Sequence, residues 1–138
     1  AEDLFPKRYH AFTNRLFASM SATLPPETMR SLLDHMADSW ARERIHRLKG
    51  RTLEERVAEV AVIRSEEGAI ADWEKVEDGY QLRQYNCPNL LVSRVHPQVC
   101  DVEAGYLARM LESPVIREQC IARGDRICSY LVQAAAVN

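Results

Sequence analysis

Midway along the chain, 71-ADWEKVEDGYQLRQY-85 breaks the pattern that precedes it. Ala71–Val76 and Tyr80–Tyr85 read as two strands on either side of the turn 77-EDG-79, which is a β-hairpin signal. Upstream of this hairpin the apolar period is helical. Phe5, Tyr9, Phe12, Leu16 and Met20 recur at spacings of four and three. The chain turns near 24-LPPE-27, where Pro25 and Pro26 suit the first turn of a second helix. Met29, Leu32, Leu33, Met36 and Trp40 form its stripe, and Gly50 is expected to end it. The run 52-TLEE-55 is a capping box that opens a third helix. That helix buries Leu53, Val57, Val60, Ala61 and Ile63 and runs out near Gly68.

Downstream, a short helix over Asn89–Val95 is expected to stop before Pro97. A longer one follows over Gln98–Leu111, with Val99, Val102, Tyr106, Met110 and Leu111 inward. The last segment, 115-VIREQCIARGDRICSYLV-132, reads as a second hairpin around 123-RGD-125. That tripeptide is a turn in this context and not an integrin ligand. The order predicts an α+β fold: N-terminal helices, then an antiparallel sheet of two hairpins bracketing a helical segment. Residues 1–68 form a helical dimerisation or linker region, and residues 69–138 an α+β region bearing the cysteines, together one compact domain.

The 138 residues suit a single domain with one moderate core. An apolar share of 46% against 28% charged places the chain among ordinary soluble domains. The apolar runs fall well short of the roughly 20 residues of a membrane span. The opening AEDLFPKRYHAF lacks the apolar core of a signal peptide, so a cytoplasmic protein is expected. A net charge of −2 argues against this chain gripping a DNA backbone alone. The basic run 42-RERIHRLKGR-51 reads as the solvated end of a helix.

Four cysteines remain: Cys87, Cys100, Cys120 and Cys128. In a reducing compartment such a set is more often metal-binding or redox-active than a disulfide framework. Taken singly, a free cysteine is more often a small core residue. Yet Cys87 sits where the chain turns after a strand, next to Pro88. Cys100 falls in the first turn of a helix, where the dipole favours a thiolate. Cys128 lies just past the Gly-Asp turn. With the turn centred on Gly124, Cys120 and Cys128 are cross-strand neighbours. The spacings are not the short knuckles of a structural zinc site, so any site must be assembled by tertiary structure.

The contexts 85-YNCPNLLVSRVHPQVC-100 and 122-ARGDRICSYLV-132 carry more. With twelve residues between Cys87 and Cys100 and twenty-seven between Cys100 and Cys128, they resemble the sensor domain of the SufR-type iron–sulfur transcriptional repressors. These are winged-helix regulators related to the ArsR and DeoR groups. The stretch 3-DLFPKRY-9 is similar to the segment after the wing in that family. The resemblance implies that Cys87, Cys100 and Cys128 bind an iron–sulfur cluster, [2Fe-2S] or [4Fe-4S], with zinc as a substitute. It also implies a homodimer that reaches DNA through a winged helix upstream of this chain, controlling iron–sulfur assembly genes. Cys120 and His96 are the candidates for a fourth ligand. Cys120 has two other readings: a disulfide with Cys128 after cluster loss, or a core residue. Arg94, Arg123 and Arg126 could offset cluster charge, and they also read as ordinary surface charges. Asn86 reads as a turn former and Trp40 and Trp73 as core or interface aromatics.

Two other classes compete. The layout and the Gly-Asp-x-x-Cys hairpin also resemble vinyl-reductase-type ligand domains, which enclose small apolar molecules and can carry zinc; a large apolar cavity would favour that reading. An enzyme using Cys100 as nucleophile would need a base, and only His96 is near in sequence. The chain is therefore read as a regulator and not an enzyme.

Overall fold

The computed structural model describes residues 8–134, so the Phe5 position and the stretch before Arg8 lie outside it. Helix α1 (Tyr9–Thr23) forms where the spacing predicts, but its apolar stripe does not face inward. Tyr9 is 74% exposed and Phe12 70%, and Leu16 is also exposed. The buried residue is Phe17, one position on, which stacks against His96. Helix α2 (Pro26–Arg44) starts at Pro26, whose missing N–H costs nothing there. It lies along helix α5 (Gln98–Leu111). Gly105 permits that approach: a Cβ there would stand 3.2 Å from Ala37 Cβ.

Helix α2 ends at Arg44, before the expected Gly50, and a 3₁₀ turn over Ile45–Arg47 follows. The reason lies in α3 (Leu53–Glu66): the Glu59 carboxylate accepts the N–H groups of Lys49 and Gly50 and fixes them outside α2. Thr52 caps α3 as read, its hydroxyl accepting the Glu55 N–H at 3.1 Å. Glu55 completes the box differently, accepting the Thr52 hydroxyl proton. Val57, Val60, Ala61 and Ile63 are buried, and so is Arg64.

Strands β1 (Ala71–Val76) and β2 (Gly79–Gln84) form the first hairpin through Glu77 and Asp78. Helix α4 (Leu90–Ser93) and α5 follow, then β3 (Val115–Gln119) and β4 (Cys128–Gln133). The four strands make one antiparallel sheet in the order β1-β2-β4-β3. The fold is thus α+β, with helices first and a sheet whose two hairpins bracket a helical segment. Gly79 is required at the joint between the hairpins. It pairs with Gln133, and a Cβ there would stand 2.1 Å from the Val132 carbonyl oxygen.

One core unites both halves of the chain: Ala41, Val57, Val60 and Ile63 from the helices meet Leu82, Tyr106, Leu107, Met110, Tyr130 and Val132. Alternation along β2 and β4 puts Leu82, Tyr130 and Val132 on that inner face. Among the described residues no helix is long and apolar enough to cross a membrane.

Candidate functional site

The antiparallel order carries the cysteines to one end of the sheet. The end of β2, the start of β4 and the end of β3 are neighbours there, with Gln84 opposite Cys128 and Gln119 opposite Ser129. Cys87 follows β2, Cys128 opens β4, Cys120 follows β3, and Cys100 lies in the first turn of α5. Cys100, Cys120 and Cys128 are buried and Cys87 is half-buried; none is in a disulfide.

Local hydrogen bonds set each position. The loop after β2 is tied to the end of α3, where the Ala69 carbonyl accepts from Tyr85 and Asn86. The Asn86 side chain adds a 2.8 Å bond to the Gly68 carbonyl, so it anchors this loop to a distant turn rather than closing its own. Cys87 Sγ stands 3.5 Å from the Ser93 hydroxyl. In the second hairpin, Asp125 accepts the Cys120 N–H at 2.8 Å, and the Cys120 carbonyl accepts from Arg123 and Asp125. Gly124, at φ 105°, closes this turn in the left-handed region. The last strand pair is Gln119 with Ser129, so the ladder stops one step short of Cys120 and Cys128, the neighbours expected from a turn centred on Gly124. Their sulfurs have other neighbours. Cys128 Sγ accepts the Ile121 N–H at 3.3 Å, and Cys120 Sγ lies 3.9 Å from Cys100 Sγ.

Burial governs the thiols. It pushes the Cys128 thiol up to about 12, against the Ile121 N–H, with Glu103 and then Cys120 and Cys87 adding to the rise. Burial and then Cys120 push Cys100 up to about 11, against the pull of Arg117. The sequence expectation that the start of α5 would favour a Cys100 thiolate is therefore reversed: lost solvation outweighs the helix terminus. Any thiolate-bound group here must displace these protons.

His96 does not join the cysteines. Its Nε2 lies 3.2 Å from the Asn14 carbonyl oxygen of α1, and its ring stacks on Phe17. Of the three arginines singled out, Arg123 donates to the Ser93 carbonyl at 3.0 Å, while Arg94 and Arg126 are exposed. The arginine beside the thiols is Arg117, on the inner face of β3 opposite Tyr130 and 3.4 Å from Asp101. Trp40 stacks on Tyr106 at 3.7 Å and donates to Glu67, and Trp73 meets Tyr80 edge-on.

Beneath the cysteines lies a charged network that the sequence reading missed. Arg64, 1% exposed, donates to Gln84 at 2.7 Å and to Glu67 at 3.0 Å. Glu103, three residues after Cys100, accepts from Gln84 and from Tyr130 and lies 3.4 Å from Arg64. Trp40 and Tyr106 both donate to Glu67 and lie under the Arg64 guanidinium at 5.3 and 5.9 Å. Two signals were available. Arg64 continues the apolar spacing of Val57, Val60 and Ala61, and Gln84 continues the inward alternation of Leu82.

A cavity of about 600 Å³ opens beside this site, among α1, α2, α5 and the segment 87–92. Phe17, Trp40, Leu90 and Val99 line it, with Cys87 and Glu103 on its wall.

The cysteine contexts can be tested against this geometry. The donors are chemically those of a thiolate-bound cluster, with an N–H directed at one sulfur and an arginine beside two others. They are too dispersed for a single ion: among the described residues no three His, Cys, Asp or Glu side chains are placed to hold one metal ion. A cluster is wider than one ion, and its thiolates need not converge on a point. No protein-family model matches the chain, and no curated protein matches it in sequence.

Proposed function

We propose that this domain is the sensing and dimerising part of a transcriptional regulator, and that Cys87, Cys100 and Cys128 hold an iron–sulfur cluster with Cys120 beside them. The observation that supports it is that four cysteines, from three strand ends and a helix start, lie at one end of the sheet, with the Cys100 and Cys120 sulfurs 3.9 Å apart. Such a cluster supplies a redox-labile group that oxidant or iron shortage can remove. DNA would be reached through a winged helix on another part of the protein, and iron–sulfur assembly genes are the target class that the resemblance suggests.

The chain's own residues offer a route from this site to α1. Holding Cys87, Cys100 and Cys128 together would tie the loop after β2, α5 and β4 to one another. Helix α4, beside Cys87, is joined to α1 by the bond from Asn14 to the Leu91 carbonyl at 3.1 Å, and the segment that follows it is joined to α1 by the contacts of His96 with Asn14 and Phe17. A change in the Cys87 segment would therefore act on the placement of α1. The exposed stripe of Tyr9, Phe12 and Leu16 is the face on which α1 would meet a second copy. This is a switch only if the cluster favours one placement over the other.

The test is iron, acid-labile sulfide and zinc per chain, with a visible spectrum, on protein purified without oxygen. Iron with sulfide, lost in Cys87→Ser, Cys100→Ser and Cys128→Ser, is the expected result. Absence of both after anaerobic reconstitution would overturn the reading.

The cavity favours a second reading, a domain that binds a small, largely apolar molecule. Native mass spectrometry of the gently purified protein tests it. A bound organic mass that disappears in Val99→Trp would support this reading, and unliganded mass throughout would count against it.

A further inference from the structure

We propose that Cys100 and Cys120 are an oxidative modification site, closing to a disulfide when the thiols are free and a hydroperoxide is present. The pairing differs from the Cys120–Cys128 bridge that hairpin register alone suggests. It rests on the geometry of the sulfurs, and it does not depend on the cluster reading.

Three observations carry it. Cys120 Sγ stands 3.9 Å from Cys100 Sγ, and a disulfide requires about 2.05 Å, so the sulfurs must close by about 2 Å. Rotation about a cysteine's χ1 moves its sulfur by a distance of that size. Second, the backbone of Cys120 is held on both sides: its N–H bonds to Asp125, and its carbonyl accepts from Arg123 and Asp125. It has left the ladder, which ends at Gln119 and Ser129, so closing the bridge breaks no strand pairing. Third, the competing sulfur is engaged. Cys128 Sγ accepts the Ile121 N–H, and the strand that carries it is central, paired to β2 and β3.

The chemistry balances with a hydroperoxide as oxidant. One cysteine sulfur attacks the peroxide, the O–O bond breaks, and a sulfenic acid forms with release of water or an alcohol. The second sulfur then attacks the first. The S–S bond forms, the sulfenic oxygen leaves as water with the two protons, and the peroxide has taken up two electrons. Closure takes Cys100 out of any thiolate set, and reduction by a dithiol restores it.

The sequence makes the test direct, because trypsin places each cysteine in its own peptide: 84–94, 95–109, 118–123 and 127–138. The metal-free domain is treated with hydrogen peroxide, blocked with iodoacetamide, digested without reductant and analysed by mass spectrometry. The expected product is 95–109 joined to 118–123, with loss of two hydrogens, reversed by dithiothreitol and retained in Cys128→Ala. A bridge joining 118–123 to 127–138 would overturn the pairing. So would peroxide-treated protein in which Cys100 and Cys120 stay free while Cys87 alone is oxidised. Because the readout is a peptide mass on metal-free chain, it stands or falls separately from the iron and sulfide measurement.

Discussion

Arg64 shows how much a single side chain can hold. A guanidinium 1% exposed is tolerable only because Gln84, Glu67 and Glu103 face it and two aromatic rings lie beneath it. Its removal would take the counter-charge from the buried Glu103 and leave the half-buried Glu67 with Arg44 alone. Arg64→Ala is expected to cost about 3–5 kcal/mol, read as a fall in the midpoint of urea unfolding. A midpoint close to that of the unsubstituted protein would show that water replaces the guanidinium. Tyr106, in the same network, makes a pH prediction. Burial and then the Glu67 carboxylate raise its phenol above the ordinary 10. A raised acid ionises first in the unfolded chain, so its contribution to stability is intact below pH 10 and is lost as pH rises beyond it. Thermal unfolding of Tyr106→Phe should therefore decline less steeply above pH 10 than that of the unsubstituted protein. At neutral pH the variant should lose about 1 kcal/mol with the bond to Glu67.

Among the elements, the capped third helix and the hairpin joint carry separable risks. Thr52→Ala removes the acceptor for the Glu55 N–H and should cost about 1 kcal/mol, measured by chemical denaturation. Gly79→Ala is more severe. Its Cβ would meet the Val132 carbonyl oxygen at 2.1 Å, a backbone atom of the central strand that cannot swing aside. A loss of roughly 1–3 kcal/mol is expected from such overpacking. The shift should appear in amide-exchange protection at the β2–β4 pairing first, and protection unchanged there would refute the steric account.

At the scale of the whole molecule, the outward stripe of α1 bears the proposed dimer. Tyr9, Phe12 and Leu16 are exposed on successive turns of one face. Sedimentation equilibrium should report a dimer, and the pair Phe12→Asp with Leu16→Asp should report a folded monomer. A monomer before substitution would remove the basis for placing the second copy on α1.

Local signals determined the elements. Helical spacing, the prolines at 25 and 26, the Thr52 cap and the turn at 77–79 each act within a few residues, so strand and helix type followed from the chain alone. The Cys120–Cys128 pairing expected from a turn about Gly124 was not reached, because the ladder stops one step earlier, at Gln119 and Ser129. What only the tertiary structure decided was direction and company. Spacing marks an apolar face on α1 but cannot say whether it meets the core or solvent, and here Phe17 takes the inward role. Register could not foresee that Cys120 would face Cys100, twenty residues away on a helix. Nor could composition reveal a buried Arg64 and Glu103, since a charge at an inward position survives only where distant partners gather around it.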